Sequence, residues 1–144
     1  MLSAPFWAYN QIKEKGSVTL FKSHNPDFKD GEQKRDFIYV KDVADTIYWL
    51  LKNVEVHGLF NLGTGSAHSW KQVVEATFEA LGEKPKIEYV AMSEEMQDRY
   101  QYFTEASMDK LKAAGCPLKF TPLKEAVADY VSYLDNKTVK YLGD

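Results

Sequence analysis

Apolar residues recur along this chain in two rhythms. In Trp70-Lys71-Gln72-Val73-Val74-Glu75-Ala76-Thr77-Phe78-Glu79-Ala80-Leu81 they return every three or four positions, which predicts an amphipathic helix burying Trp70, Val73, Val74, Phe78 and Leu81. Ser69 with Gln72 three residues on forms a capping box, and Gly82 stops the helix. The same rhythm predicts a helix over 42–52, with Val43, Ile47, Leu50 and Leu51 on one face and Asp42 and Asp45 giving a capping-box-like start. Another over 123–134 buries Leu123, Val127, Tyr130, Val131 and Leu134 behind Thr121-Pro122, an N-cap followed by proline in the first turn. Shorter helices are expected after Ser93, where Glu94 and Glu95 suit the positive helix end, and over 107–114, ended by Gly115.

Short apolar runs between these helices predict strands at 17–21, 37–40, 59–63 and within Pro85–Met92. Between the first two lies a polar stretch broken by Asn25-Pro26 and Asp30-Gly31, a loop long enough to be functional or mobile. The run Arg99–Ala106 reads as irregular or briefly extended, and the polar tail after Asn136 as frayed. Strands alternating with helices give the α/β class, without repeats or an evident linker. The first residues read as a helix that begins at once, with Leu2, Pro5, Phe6, Tyr9 and Ile12 apolar, no cap ahead of it and Gly16 as its stop. That start is expected for the interior of a longer protein.

Bulk properties narrow the function. The 144 residues suffice for one domain, and 44% hydrophobic with 14% aromatic residues is a globular composition. With 18 basic and 21 acidic residues the net charge is −3, which argues against a nucleic-acid or membrane-surface binder. One cysteine, Cys116, excludes an internal disulfide framework and fits a reducing, cytoplasmic setting. No apolar run approaches a membrane span, and His24, His57 and His68 lack metal-ligand spacing.

Three patterns could carry chemistry. The glycine turn Asn61-Leu62-Gly63-Thr64-Gly65 follows an apolar run and could cradle a phosphate. His68, however, stands where a dinucleotide fingerprint needs a third glycine or alanine, so a structural turn is the simpler reading. Tyr-x-x-x-Lys, a proton-transfer pair on one helix face, occurs as Tyr9/Lys13, Tyr48/Lys52 and Tyr133/Lys137, a frequency that chance explains. Arg35 and Arg99 sit at predicted element boundaries, with Tyr100 beside Arg99 and Phe21 just before the long loop. Guanidinium forks suit a pyrophosphate and an aromatic ring suits a base, whereas the alternative is an ordinary rim of surface arginines.

Around these residues lies a family resemblance. "RDFIYVKDVAD" is similar to the signature in the C-terminal half of the extended short-chain dehydrogenase/reductases that modify nucleotide sugars, in the NAD-dependent epimerase/dehydratase family, and "LFNLGTG" resembles a late strand of their parallel sheet. Within the family, the ordered series from "LFKSHNPDFKDGEQKRDFIYVKDVAD" through "FNLGTG" to "RYQYFTEASMDKL" resembles the epimerases acting on an ADP-linked heptose, over nearly the whole chain. "RYQ-x-FT" is its most specific piece, and it argues against a 4-epimerase or a dehydratase. A non-catalytic nucleotide-binding module is the rival from another class.

The resemblance implies the late sheet strand plus a small α/β substrate-binding lobe, with the whole chain, 1–144, forming the substrate-binding part of an oligomeric enzyme. It places substrate contacts on Phe21, Lys22, Ser23 and His24, a diphosphate clamp on Arg35, a late substrate tyrosine at Tyr100 and a further contact at Trp7, where tryptophan replaces the expected histidine. It implies that NADP, the catalytic Tyr-x-x-x-Lys and a second catalytic lysine belong to an N-terminal Rossmann half not included in this chain. The implied reaction is epimerisation of ADP-heptose at C6″ by transient oxidation, feeding lipopolysaccharide inner-core assembly.

Overall fold

A computed structural model describes residues 3–117 and 119–136. The described chain runs α1 (Ala4–Lys15), β1 (Val18–Phe21), β2 (Lys34–Arg35), α2 (Val40–Lys52), β3 (His68–Ser69), α3 (Trp70–Ala80), β4 (Ile87–Val90), α4 (Glu94–Gln97), α5 (Asp109–Ala113) and α6 (Leu123–Asp135). The class is α/β, with β1 and β4 pairing in parallel from Val18↔Ile87 to Phe21↔Val90.

Helix α3 organises the core because its apolar stripe is wide enough to serve two neighbours. Val74 and Phe78 pack with Ala8 and Ile12 of α1 and with Val18 and Leu20 of β1. Ala76 packs with Val127 and Val131 of α6. The capping box forms as expected: Gln72 N–H donates to Ser69 Oγ at 3.1 Å, and the Gln72 side chain accepts from Ser69 N–H at 2.8 Å. At Gly31, φ is +75°, and a Cβ would meet Leu20 and Tyr89 at 3.1 Å. The loop therefore lies flat on the β1/β4 pair only with glycine there.

Several expected boundaries move. Helix α1 begins at Ala4 with Ser3 at the N-cap position, although the serine side chain makes no capping bond. Residues 37–40 are not a strand: extended pairing is confined to Lys34–Arg35, and Val40 already opens α2. The reason lies in tertiary contacts, since Asp36 turns toward the glycine turn and Phe37 packs edge-on to Trp70 at 5.5 Å. The late strand expected over 59–63 does not form among the described residues, where no neighbouring strand offers those backbone groups a ladder.

The α2 start also differs. Asp42 is buried and accepts from Thr121 N–H at 2.8 Å and Thr121 Oγ1–H at 2.7 Å, which removes both residues from the capping roles expected of them. The short helix expected over 107–114 contracts to Asp109–Ala113. Leu2, Lys137 and the expected frayed tail lie outside the described residues.

Candidate functional site

Strand β2 is short, but it is held on both sides. Arg35 lies opposite His68 in the antiparallel β2/β3 pair. On the other edge Lys34 N–H donates to the Tyr102 carbonyl at 2.8 Å, and Thr104 N–H donates to the Lys34 carbonyl at 3.3 Å. This second pairing brings the Arg99–Thr104 strip alongside Arg35, although more than sixty residues separate them in sequence.

The result is a cluster of rings under a guanidinium. The Arg35 guanidinium carbon sits 5.5 Å from the Tyr100 ring centroid. Tyr100 contacts Phe21 at 6.5 Å and Tyr102 at 5.4 Å, both edge-on. Arg35 Nη1 donates to the Lys34 carbonyl at 2.7 Å, and its other N–H donors have no partner among the described residues. An anchored fork with free donors over an aromatic face suits an anion attached to a planar ring. Burial raises the Tyr100 pKa against the opposing pull of Arg35, so the phenol stays a neutral donor.

Beside the cluster opens a cavity of about 820 Å³ whose wall includes Trp7, Phe21, Gln33, Trp70, Val90 and Tyr100. The structure thus brings together Trp7, Phe21 and Tyr100, with Arg35 reaching them across the tyrosine ring. Ser23 and His24 lie on the loop leaving β1, where Ser23 N–H donates to Asp30 Oδ1 at 2.7 Å. Lys22 is exposed, and only its backbone is tied, by N–H donation to the Val90 carbonyl at 2.8 Å. Arg99 is exposed and lies outside the cavity wall.

Sequence reasoning missed Gln33, Trp70 and Tyr102 as parts of this region. Gln33 is almost wholly buried, and its Nε2 donates to the Phe21 carbonyl at 3.4 Å. Trp70, expected only in the core, also meets Trp7 edge-on at 6.2 Å in the cavity wall. Its Nε1 and His68 Nδ1 are buried without a hydrogen-bond partner among the described residues.

The glycine turn is settled by Asp36. One carboxylate accepts from Thr64 N–H at 2.8 Å, Thr64 Oγ1–H at 2.5 Å, Gly65 N–H at 2.9 Å and Ala106 N–H at 3.1 Å. Burial alone would raise the Asp36 pKa, but the Thr64, Ala106 and Gly65 bonds outweigh it and hold the carboxyl below its ordinary value. A Cβ at Gly63 would run into this carboxylate, which explains the glycine. The Thr64 and Gly65 N–H donors that a phosphate cradle needs are occupied, so this turn does not fit the pyrophosphate of a dinucleotide.

Comparison with known proteins identifies relatives of this fold. The NAD dependent epimerase/dehydratase family model matches residues 3–63. An extended short-chain dehydrogenase/reductase fold is shared with solved epimerases: the NAD complex of Thermus thermophilus UDP-glucose 4-epimerase matches with a TM-score of 0.71 and 27% identity, over 93% of this chain and 40% of that one. The chain is thus similar to the C-terminal part of proteins of this family. Relatives include the ADP-L-glycero-D-manno-heptose-6-epimerases of Nitratidesulfovibrio vulgaris strain DP4, 52% identical over 86% of this chain and 38% of the relative, and of Fusobacterium nucleatum, 45% identical over 99% and 45%. The crystal structure of the Helicobacter pylori ADP-L-glycero-D-manno-heptose-6-epimerase superposes with a TM-score of 0.69 at 23% identity, covering 91% of this chain and 37% of that one. This chain therefore spans less than half the length of the curated relatives it matches.

Proposed function

We propose that this chain is the substrate-binding part of an ADP-L-glycero-D-manno-heptose 6-epimerase. The parent enzyme interconverts the D-glycero and L-glycero forms of ADP-manno-heptose at C6″ by transient NADP-dependent oxidation, in cytoplasmic synthesis of the lipopolysaccharide inner core. The observation that carries the reading is the Arg35 guanidinium, with free donors, seated over the Tyr100 ring at the edge of the Trp7/Phe21 cavity. The likeness to heptose epimerases supports the choice of sugar nucleotide.

In this reading Arg35 clamps the diphosphate. Tyr100 packs under the guanidinium and offers its hydroxyl to the substrate. Phe21, Lys22, Ser23 and His24 form the wall that follows β1, and Trp7 supplies an apolar surface from α1. NADP and the proton-transferring residues belong to an N-terminal Rossmann half, and the assembled enzyme is a homo-oligomer. That half is also the partner for the apolar face that α2 leaves exposed in this chain.

Steady-state kinetics of the full-length enzyme carrying Arg35→Lys test the assignment. Lysine keeps the charge but loses the bidentate fork, so the KM for the ADP-sugar should rise about tenfold, the loss expected for one charge-assisted hydrogen bond. The dissociation constant for NADP should stay unchanged. An unchanged KM, or equal losses for substrate and cofactor, would reduce Arg35 to a structural residue.

A further inference from the structure

The loop that leaves β1 is fastened by Tyr102, a residue given no role in the functional reading above. Tyr102 fills the one position of the "RYQ-x-FT" run that the family resemblance leaves free. Its hydroxyl oxygen accepts from His24 N–H at 2.9 Å and from Asn25 N–H at 3.3 Å. It also lies 2.7 Å from His24 Nδ1, and the two rings meet at 5.1 Å. Ser23 Oγ is 3.5 Å away, but its proton goes to the Asn25 carbonyl at 2.7 Å. Phe28 and Tyr100 pack against the Tyr102 ring, at 5.1 Å and 5.4 Å.

These contacts decide where the protons sit. A phenol oxygen that receives two amide protons still has its own proton to donate. The neighbour placed to take it is His24 Nδ1, and a neutral imidazole that accepts at Nδ1 carries its proton on Nε2. His24 is exposed, and Nε2 has no hydrogen-bond partner among the described residues. Three residues back, at the end of β1, Phe21 lines the cavity.

The geometry points to Tyr102 as a positioning residue: it sets the His24 tautomer and holds Nε2–H ready as a neutral donor to an acceptor oxygen of the bound sugar nucleotide. The ligand part of this inference rests on the functional reading above, whereas the tautomer part does not. A donor fixed by a neighbouring hydroxyl discriminates between ligands by whether they present an oxygen there, and it adds no charge to the site.

The experiment has two arms. The first is ¹⁵N NMR of the histidine-labelled chain at mildly alkaline pH, with the His24 signals assigned by their absence in His24→Gln. The Nε2–H form should predominate at His24, and Tyr102→Phe should give a mixture of both tautomers while unchanged His57 and His68 signals report an intact fold. An Nδ1–H ring in the wild type, or an unaltered tautomer in Tyr102→Phe, would overturn the positioning role. The second arm is calorimetric titration with ADP-D-glycero-D-manno-heptose. Tyr102→Phe should weaken binding about three- to tenfold, the range for one neutral hydrogen bond. His24→Gln, which keeps an N–H donor near the place of Nε2, should restore most of that loss in the double variant. Equal affinities for wild type and Tyr102→Phe would overturn the donor role. A wild-type chain that binds no ADP-heptose would overturn the functional reading instead, and the tautomer measurement would still decide what Tyr102 does.

Discussion

Helices α3 and α2 have similar amphipathic patterns and opposite surroundings. On α3 the apolar face is enclosed, and Phe78 is 1% exposed among residues of α1 and β1. On α2 and the segment after it, Val40, Ile47, Leu51, Val54 and Leu59 stay open, with Leu51 70% exposed. An apolar stripe at helical spacing thus reports only that burial is wanted, and the neighbour that provides it has to come from elsewhere. For α3 that neighbour is within the chain. For α2 the described residues half-bury Val43 and Leu50 but leave Val40, Ile47 and Leu51 open, which is what the proposed partnership with a Rossmann half requires. The same contrast separates the β1/β4 pair, which finds its ladder internally, from residues 59–63, which do not.

Substitutions can break this comparison in order of size. Phe78→Ala should cost about 3–5 kcal/mol, the usual penalty for emptying a core aromatic site, and leave little folded lobe in urea titrations. A loss below about 1 kcal/mol would mean that the α3 core is not what holds the chain together.

Asp36→Asn comes next. It removes a charged acceptor for four donors, and a loss of about 1.5–3 kcal/mol is expected from weakened charge-assisted bonds. The pH dependence has a definite sign. Because the folded carboxyl titrates below its unfolded value, its stabilisation is present above the unfolded pKa of about 3.9 and lost as pH falls through the folded value. The variant should therefore show a smaller loss of stability below about pH 4 than the wild type, and identical acid titrations of the two proteins would remove Asp36 from the account.

The smallest effect is expected at Leu51. Leu51→Glu should change the stability of this chain by no more than about 0.5 kcal/mol, as for other open surface sites, while reducing its self-association in sedimentation. In the full-length enzyme the same change should be clearly destabilising. Equal tolerance in both settings would show that α2 faces solvent in the parent too.

Legibility in the sequence follows the range of the interactions. The Ser69/Gln72 capping box was readable because its partners lie one turn apart, and the buried face of α3 because its apolar positions repeat within the helix itself, whatever covers them. Asp42 was misread because a carboxylate at a helix start can serve its own helix or a distant group, and here Thr121, 79 positions away, is the closer customer for its oxygens. Strands at 37–40 and 59–63 were misread because strand formation depends on a second strand that local pattern does not reveal. Arg35, Phe21 and Tyr100 were singled out by residue type and position and given substrate roles by family resemblance, and their convergence appears only once β2 pairs with the 102–104 strip. Gln33, Trp70 and Tyr102 gave no local signal, since each acquires its place in the site from a contact across the fold.

The central claim is that a sugar-nucleotide site resides in this chain and the dinucleotide site does not. Isothermal titration of the chain with ADP-D-glycero-D-manno-heptose and, separately, with NADP+ tests it most directly. The account predicts saturable binding of the ADP-sugar that weakens about tenfold in Arg35→Lys, and no binding of NADP+. Micromolar binding of NADP+ by the chain, or ADP-sugar binding indifferent to Arg35, would contradict it.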